Sequence, residues 1–229
     1  MLAVAPSGRS LAVRCASGYI ELWDVASTFM VQSLSTGWVQ KAEFSKDGTT
    51  LATVGYDRLA RVWDLPMGNI TASFEHPTYV SALAFSSDAR RLATADRDNT
   101  IRVWELERKA CLVEMVHDEW VEALTFSPDG RFVATASPDG TARVWNIATG
   151  NELPQIHHGG EVIGIAFDAT GTQLVTVAAG TVWGWRVQIV DLAGELCARL
   201  PRNFTPAEWN QFFPDELYRC TCENLPREE

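Results

Sequence analysis

The sequence predicts an all-β protein made of about five similar, small antiparallel sheets. Within residues 120–147, the three runs 121–126, 132–136 and 142–147 alternate apolar and polar residues, as half-buried strands do. Both gaps between these runs read Ser-Pro-Asp-Gly, and the Asp-Gly pair favours the positive φ angles of tight hairpins. A single three-stranded meander cannot bury its own apolar faces, so the pattern predicts neighbouring sheets of the same kind.

The same pattern recurs along the chain at a nearly constant period. Tryptophans that close a third strand follow one another at steps of 40, 41, 41 and 40 residues, and they are Trp23, Trp63, Trp104, Trp145 and Trp185. The residue that closes the first strand precedes the tryptophan by 19 residues in four units and by 18 in the fifth, and these residues are Val4, Phe44, Phe85, Phe126 and Phe167. A Trp-Asp pair stands at 23–24 and again at 63–64.

In this period and in these Trp-Asp pairs the chain resembles the WD-repeat family of β-propellers. Repeats of that family have roughly 40 to 45 residues, and each repeat forms a four-stranded blade. The resemblance covers residues 2 to about 187 and implies about five blades, at 1–35, 36–75, 76–116, 117–157 and 158–187. A tail, 188–229, follows the fifth blade.

The predicted ring is incomplete at both ends. The chain begins inside the first blade, and the spacing of Leu192, Leu196 and Leu200 predicts a helix where the outer strand of the fifth blade is expected. Propellers that resemble this chain usually close when an N-terminal segment supplies that outer strand. We therefore expect an open or truncated ring, which belongs to a longer repeat protein or closes against a second copy. The alternative is a self-sufficient five-bladed ring.

A second resemblance concerns the tail. Residues 205–208, Thr-Pro-Ala-Glu, have the composition of a helical capping box, and Trp209, Phe212 and Phe213 then share one helical face. Residues 197–226 resemble the closing segment of bacterial WD-repeat proteins whose N-terminal parts are signalling ATPases, kinases or caspase-like proteases. The resemblance implies a short helical C-terminal tail. It also makes a regulatory C-terminal arm the alternative to a simple scaffold.

Composition and charge narrow the function classes. With 29 acidic and 19 basic residues, the formal charge of -10 repels nucleic-acid phosphates and acidic lipids. No apolar run approaches the roughly 18 residues of a membrane span, and residues 1–9 lack the features of a secretory signal. The five cysteines are an odd and scattered set, which favours a reducing compartment. We therefore expect a cytoplasmic protein that binds neither nucleic acid nor a membrane.

Three histidines, His76, His117 and His158, each stand four residues before the valine of a first strand. In the WD-repeat family such a histidine joins a hydrogen-bond network with a second-strand hydroxyl, the aspartate of the next turn and the third-strand tryptophan. The resemblance implies that the network is best matched in the fourth blade, with His117, Thr135 or Ser137, Asp139 and Trp145. The third blade keeps His76, Thr94, Asp98 and Trp104. A hydrolase triad is the catalytic alternative. The structural interpretation is preferred, because a set repeated in several blades satisfies buried polar groups in each.

The sequence contains no recognisable motif for a catalytic or cofactor site. A glycine-rich phosphate loop and a nucleophile elbow are both absent. The adjacent His157 and His158 and the close pair Cys220 and Cys222 do not supply the two spaced ligand pairs of a typical zinc site. We therefore expect no metal, no cofactor and no enzymatic activity, and a hydrolytic enzyme is the least favoured function.

The resemblance also implies which residues surround the mouth of the propeller channel. These residues flank the first-strand valine or precede the turn aspartate, and they are Trp38, Gln40, Tyr56, Tyr79, Ser81, Arg97, Trp120, Glu122, Pro138, Glu161 and Ile163. Aromatic and arginine side chains dominate binding hot spots. The sequence therefore predicts a non-catalytic scaffold or ligand-sensing arm that binds a protein or peptide partner through these residues. The alternative is that they pack locally.

Overall fold

The computed structural model describes residues 3–15, 18–153 and 155–186. Its contacts divide the chain into two compact units, Met1–Trp185 and Arg186–Glu229. Nearly all the described residues belong to the first unit. The predicted helical tail, 188–229, with Cys220 and Cys222, lies outside the described residues.

The described part of the chain contains nineteen β-strands and no helix. The strands form four four-stranded sheets and one three-stranded sheet. Sheet one contains β1 (Ala3–Val4), β2 (Ser10–Arg14), β3 (Tyr19–Asp24) and β4 (Phe29–Ser35). Sheet two contains β5 (Val39–Phe44), β6 (Thr50–Gly55), β7 (Leu59–Asp64) and β8 (Asn69–Glu75). Sheet three contains β9 (Val80–Phe85), β10 (Arg91–Asp96), β11 (Thr100–Glu105) and β12 (Ala110–Val116). Sheet four contains β13 (Ala123–Phe126), β14 (Phe132–Ala136), β15 (Thr141–Asn146) and β16 (Ile156–His157). Sheet five contains β17 (Val162–Phe167), β18 (Gln173–Ala178) and β19 (Thr181–Arg186).

Each sheet is an antiparallel meander whose spatial order follows the order of the chain. The turns between first and second strands carry glycine at positive φ where the sequence has Asp-Gly, for example at Gly48 and Gly130. In sheets one, two and three the register shifts immediately before the tryptophan of the third strand. A bulge of this kind increases the local twist of the sheet.

The hydrophobic core lies between the sheets. One cluster joins Ile20 and Leu34 of sheet one to Phe44 of sheet two, and another joins Phe74 of sheet two to Leu92 of sheet three. Two further clusters join sheet three to sheet four and sheet four to sheet five. Each sheet therefore completes its core with residues of its neighbour, as expected for a repeat architecture in which stability depends on nearest-neighbour interfaces.

The predicted fold class is confirmed, since the described residues form an all-β array of five antiparallel sheets that correspond to propeller blades. The first strands β1, β5, β9, β13 and β17 pack beside one another in chain order. Among the described residues no comparable packing joins β17 to β1. The open ring stays a prediction.

Sheet five differs from the others in its exposure. Five of the six residues of β19 are exposed, whereas five of the six residues of the equivalent strand β15 are buried. Among the described residues, sheet five has three strands, whereas each of the other sheets has four.

In the part of the chain that the structure describes, no helix has the length and apolar character needed to cross a membrane.

Candidate functional site

Two kinds of segment meet at one edge of the sheets, here called the upper edge. They are the turns between second and third strands and the connections that lead from one sheet to the first strand of the next. Backbone hydrogen bonds join them within a sheet: the Tyr56 N–H donates to the Trp38 carbonyl at 3.1 Å, and the Arg97 N–H donates to the Tyr79 carbonyl at 3.1 Å. The strand register therefore brings these pairs of sequence-distant residues side by side.

Side-chain contacts continue this arrangement from one sheet to the next. The rings of Tyr56 in sheet two and Tyr79 in sheet three lie with their centroids 5.3 Å apart. The Arg97 guanidinium lies 5.3 Å from the Tyr79 centroid and 3.5 Å from the centroid of Trp120 in sheet four. Backbone bonds and ring contacts thus alternate along a line of five residues that spans three sheets. We call this line the aromatic row, and its members are Trp38, Tyr56, Tyr79, Arg97 and Trp120.

The aromatic row is accessible to solvent. Trp38 is 69% exposed and Tyr56 is 57% exposed, while the other three members are partly exposed. Large aromatic side chains with this exposure are not part of the hydrophobic core. The row therefore offers ring faces and one guanidinium at the upper edge for contact with another molecule.

The other residues predicted to bind a partner differ in exposure. Gln40, Glu122 and Pro138 are partly exposed. Glu122 is held by Lys41, whose Nζ lies 3.4 Å from Glu122 Oε1 and so connects sheets two and four. Glu161 and Ile163 are exposed but belong to sheet five, beyond the end of the aromatic row.

The prediction for Ser81 needs correction. The structure buries this residue, which is 1% exposed, between sheets three and four. Its hydroxyl donates to the Val121 carbonyl at 2.9 Å, so a small polar side chain joins β9 to the segment just before β13. Ser81 is therefore inaccessible to a partner.

Below the upper edge, a threonine of the second strand accepts a hydrogen bond from the tryptophan indole in four sheets. The Nε1–Oγ1 distances are 3.0, 2.8, 3.0 and 2.9 Å in sheets two to five, for the pairs Trp63–Thr53, Trp104–Thr94, Trp145–Thr135 and Trp185–Thr176. Indole N–H groups need such acceptors once they are buried. Of the two hydroxyls that the sequence left open in sheet four, Thr135 contacts the indole and Ser137 donates instead to the Trp120 carbonyl at 3.0 Å.

In sheet one the same position lacks a hydroxyl. Val13 stands where the other sheets have threonine, and the Trp23 indole donates instead to the Glu21 carboxylate at 3.0 Å. Glu21 occupies the place of the arginine found two residues before the tryptophan in sheets two to four. The loss of the hydroxyl is thus compensated by a carboxylate on the same strand as the tryptophan.

The network is most complete in sheet three. Thr94 Oγ1 lies 3.3 Å from His76 Nε2, and His76 Nδ1 lies 3.4 Å from Asp96 Oδ2. Asp96, rather than the predicted Asp98, is therefore the carboxylate of this network. The reason is position: Asp96 ends β10 and is fully buried, whereas Asp98 lies in the exposed part of the turn and donates its backbone N–H to Asp96.

Asp96 remains the charged member of this buried set. Burial pushes the pKa of Asp96 upward, but the hydrogen bond from His76 and the positive charge of Arg102 outweigh it and keep the pKa below its ordinary value. The Arg102 guanidinium contacts Asp96 directly. Asp96 is thus an ionised carboxylate with two partners.

In sheet four the network is interrupted at His117. Its Nδ1 lies 3.1 Å from Asp139 Oδ2 and also accepts the Asp118 N–H at 3.1 Å, while Nε2 is buried without a partner among the described residues. Burial and the nearby charge of Arg143 lower the pKa of His117 to about 4. His117 is therefore neutral near pH 7, and it does not link Thr135 to Asp139.

The arginines two residues before the tryptophans of sheets two to four form ion pairs that the sequence analysis missed. Arg61 binds Asp57 at 2.5 Å, Arg102 binds Asp96, and Arg143 binds Asp118 and, at 3.2 Å, Asp139. The sequence contains a sign of this pairing, because sheet five lacks both the arginine and the turn aspartate. Its turn has no aspartate, and Trp183 stands where the arginine would be.

The described residues contain no group of three or more His, Cys, Asp or Glu side chains that could hold a metal ion. His157 is exposed, while His158 faces the Thr176 hydroxyl at 3.1 Å from Nε2 and takes the place of His76 in sheet five. The neighbouring His157 and His158 therefore have different surroundings.

Comparisons with known proteins agree with the repeat pattern. The family model described as WD domain, G-beta repeat matches three segments of the chain, at residues 29–64, 68–105 and 109–146. These segments run from the fourth strand of one sheet to the third strand of the next, and together they extend over sheets one to four. No curated protein gives a significant match.

Proposed function

Because this chain belongs to the WD-repeat family, whose domains generally bind protein partners and are generally not catalytic, we propose that it is a protein-interaction module that uses the aromatic row to contact its partner. The observation that carries this proposal is the exposure of Trp38 and Tyr56 next to a stacked tyrosine, arginine and tryptophan. The module serves as a scaffold or ligand-sensing arm.

The composition of the aromatic row supports this role. Trp, Tyr and Arg are the residues most enriched in binding hot spots, because each buries a large area with few rotatable bonds or several hydrogen-bond donors. Four side chains of the row, those of Tyr56, Tyr79, Arg97 and Trp120, already hold one another through ring contacts. Such preorganisation reduces the conformational entropy that binding has to overcome.

A hydrolytic role is disfavoured by accessibility. His76 and His117 are each 2% exposed, and the hydroxyls of Thr94 and Thr135 are buried beneath their indoles. A nucleophile and its base have to reach a substrate, and these groups face other protein atoms. The hydrogen-bond networks therefore support the scaffold rather than a reaction.

A cytoplasmic location is part of the proposal. Cys15 and Cys111 are free thiols, and burial is the main cause that raises the pKa of each. Free thiols are typical of proteins that function in a reducing compartment. This supports a scaffold that acts inside the cell.

The proposal is tested by selecting binders from a library of random linear peptides displayed on phage, with the whole chain as bait. Selected peptides are then titrated by fluorescence polarisation against the chain and a Trp38→Ala/Tyr56→Ala variant. We expect the variant to bind at least about 30-fold more weakly, which corresponds to the loss of a hot spot of about 2 kcal/mol.

A matched control replaces two apolar residues outside the aromatic row that are at least as exposed as Trp38 and Tyr56. Phe29 is 73% exposed and Met67 is 79% exposed, so Phe29→Ala/Met67→Ala removes comparable apolar surface. This control should keep full affinity, and circular dichroism should show that both variants are folded. The proposed surface would be refuted if the selected peptides bound Trp38→Ala/Tyr56→Ala with unchanged affinity. It would also be refuted if the control pair lowered the affinity by the same factor.

A further inference from the structure

Arg97 is the member of the aromatic row whose position calls for a charged ligand. At the upper edge, Arg61, Arg102 and Arg143 are each neutralised by a carboxylate of the same chain. None of the ion pairs among the described residues involves Arg97, although the chain has a formal charge of -10. Its Nε atom is buried and has no hydrogen-bond partner in the part of the chain that the structure describes.

Three carboxylates near Arg97 or Trp120 in the sequence form no ion pair with Arg97. Asp96 is buried against His76 and Arg102, and Asp118 is bound by Arg143. Asp98 is exposed and directly follows Arg97, yet it forms no ion pair with it. The guanidinium is thus left with hydrogen-bond donors that no carboxylate of the described residues satisfies.

The two aromatic rings determine how Arg97 can be used. The Trp120 ring covers one face of the guanidinium, with its centroid 3.5 Å from the guanidinium carbon. The centroid of the Tyr79 ring lies 5.3 Å from the same carbon. Stacking restricts the side chain and removes water from the covered face. Because Nε is buried, a ligand reaches the guanidinium through its two terminal nitrogens. A planar arginine held in this way is suited to a two-point hydrogen bond with a carboxylate.

We propose that the partner is an extended acidic peptide segment that presents an Asp or Glu carboxylate to Arg97 and a neighbouring apolar side chain to Trp38 and Tyr56. This inference rests on the proposed function and adds the chemistry of the partner. The geometry that carries it is one unneutralised, ring-stacked guanidinium within a row of exposed aromatic side chains.

The net negative charge of the chain does not attract an acidic peptide from a distance. Exposed Asp98 and Glu119 stand next to Arg97 and Trp120 in sequence, and their charges oppose a second carboxylate. At physiological ionic strength, exposed charges more distant than about 8 Å are largely screened, so mainly these adjacent carboxylates oppose binding. Recognition therefore comes from direct hydrogen bonds to the guanidinium and not from a long-range attractive field.

The test uses the peptides selected on the whole chain and changes one group on each side. Arg97→Met keeps an unbranched side chain that can rest on the rings but removes the charge and the donors. For a selected peptide, Glu→Gln (or Asp→Asn) should weaken binding to the unaltered chain at least about tenfold and should have little effect on binding to Arg97→Met. Arg97→Glu should lose the acidic peptide and regain affinity for the version with lysine at that position.

A matched control is Arg58→Met, because Arg58 is an exposed arginine in the corresponding turn of sheet two without a stacked ring. It changes the net charge equally and should leave the discrimination between Glu and Gln peptides intact. Peptides that bind through Trp38 and Tyr56 but carry no acidic residue, or tolerate Glu→Gln, would overturn this inference and leave the proposed function standing. A selection that yields no binder dependent on the aromatic row would overturn both.

Discussion

At the scale of single residues, one threonine hydroxyl in each of sheets two to five determines how well that sheet satisfies its buried polar groups. The Thr94 hydroxyl accepts a hydrogen bond from the Trp104 indole N–H at 2.8 Å, and its oxygen also lies 3.3 Å from His76 Nε2. Thr135 accepts the Trp145 indole at 3.0 Å and otherwise reaches a backbone carbonyl at 3.5 Å. Equivalent threonines in neighbouring sheets thus have different numbers of side-chain partners.

Replacing each threonine with valine should reveal this difference in the free energy of unfolding. Valine preserves the shape but strands the indole in both sheets, and in sheet three it also strands His76. We expect Thr94→Val to cost about 2 to 3 kcal/mol and Thr135→Val about 1 kcal/mol less. Urea denaturation followed by tryptophan fluorescence measures both values. Equal costs in the two sheets would show that the His76 contact contributes nothing.

At the scale of strands and sheets, the contacts between sheets contain one carboxyl group in an unusual setting. Glu43, near the end of β5, accepts the backbone N–H of Phe85 in the next sheet at 3.2 Å. The equivalent residues of the following first strands are Ala84, Thr125 and Ala166. Burial raises the pKa of Glu43 to about 7, against a smaller opposing effect of the Phe85 hydrogen bond.

This raised pKa makes the junction between sheets two and three sensitive to pH. The folded protein binds a proton at Glu43 more tightly than the unfolded chain does, so the free energy of unfolding falls as pH rises from about 4.5 to about 7. Glu43→Gln keeps an acceptor and removes the titration. The variant should therefore gain stability relative to the unaltered chain across this pH range, by about 3 kcal/mol at pH 7 and above.

Chemical denaturation at a series of pH values checks the Glu43 prediction. Glu107→Gln, which removes an exposed carboxyl in the turn between β11 and β12, controls for the change in net charge. A stability difference between Glu43→Gln and the unaltered chain that stays constant over this pH range would contradict the raised pKa.

At the scale of the whole molecule, stability is distributed between neighbouring sheets. Sheet three is flanked by core clusters on both sides, whereas sheet five shares one cluster with sheet four and leaves β19 largely exposed. In such arrays a local loss of stability spreads mainly to the units in contact. A change in the middle should therefore affect more of the chain than the same change in sheet five.

Leu92 and Leu174 offer a matched pair for this comparison. Both are fully buried, and each pairs with the phenylalanine that closes its first strand. Either Leu→Ala change should cost about 2 to 5 kcal/mol locally. By hydrogen exchange with mass spectrometry, Leu92→Ala should increase exchange in sheets two, three and four, and Leu174→Ala mainly in sheet five. Identical exchange patterns for the two variants would indicate one global unfolding unit.

Much of this architecture follows from the sequence. The bonds between the tryptophans and the threonines of sheets two to four join residues ten apart in the chain, and the corresponding bond in sheet five joins residues nine apart. Hairpin turns of fixed length and strand alternation determine such local register, which is why the repeat pattern predicted the five sheets.

Only the tertiary structure decided how residues of different sheets meet. The burial of Ser81 depends on a bond across 40 residues, and Arg97 lies between Tyr79 of its own sheet and Trp120 of the next. The choice of Asp96 over Asp98 depends on which carboxylate is buried beside His76. A sequence period fixes what each sheet contains, but the distance and rotation between packed sheets determine which side chains touch, because those contacts join residues that no local rule connects.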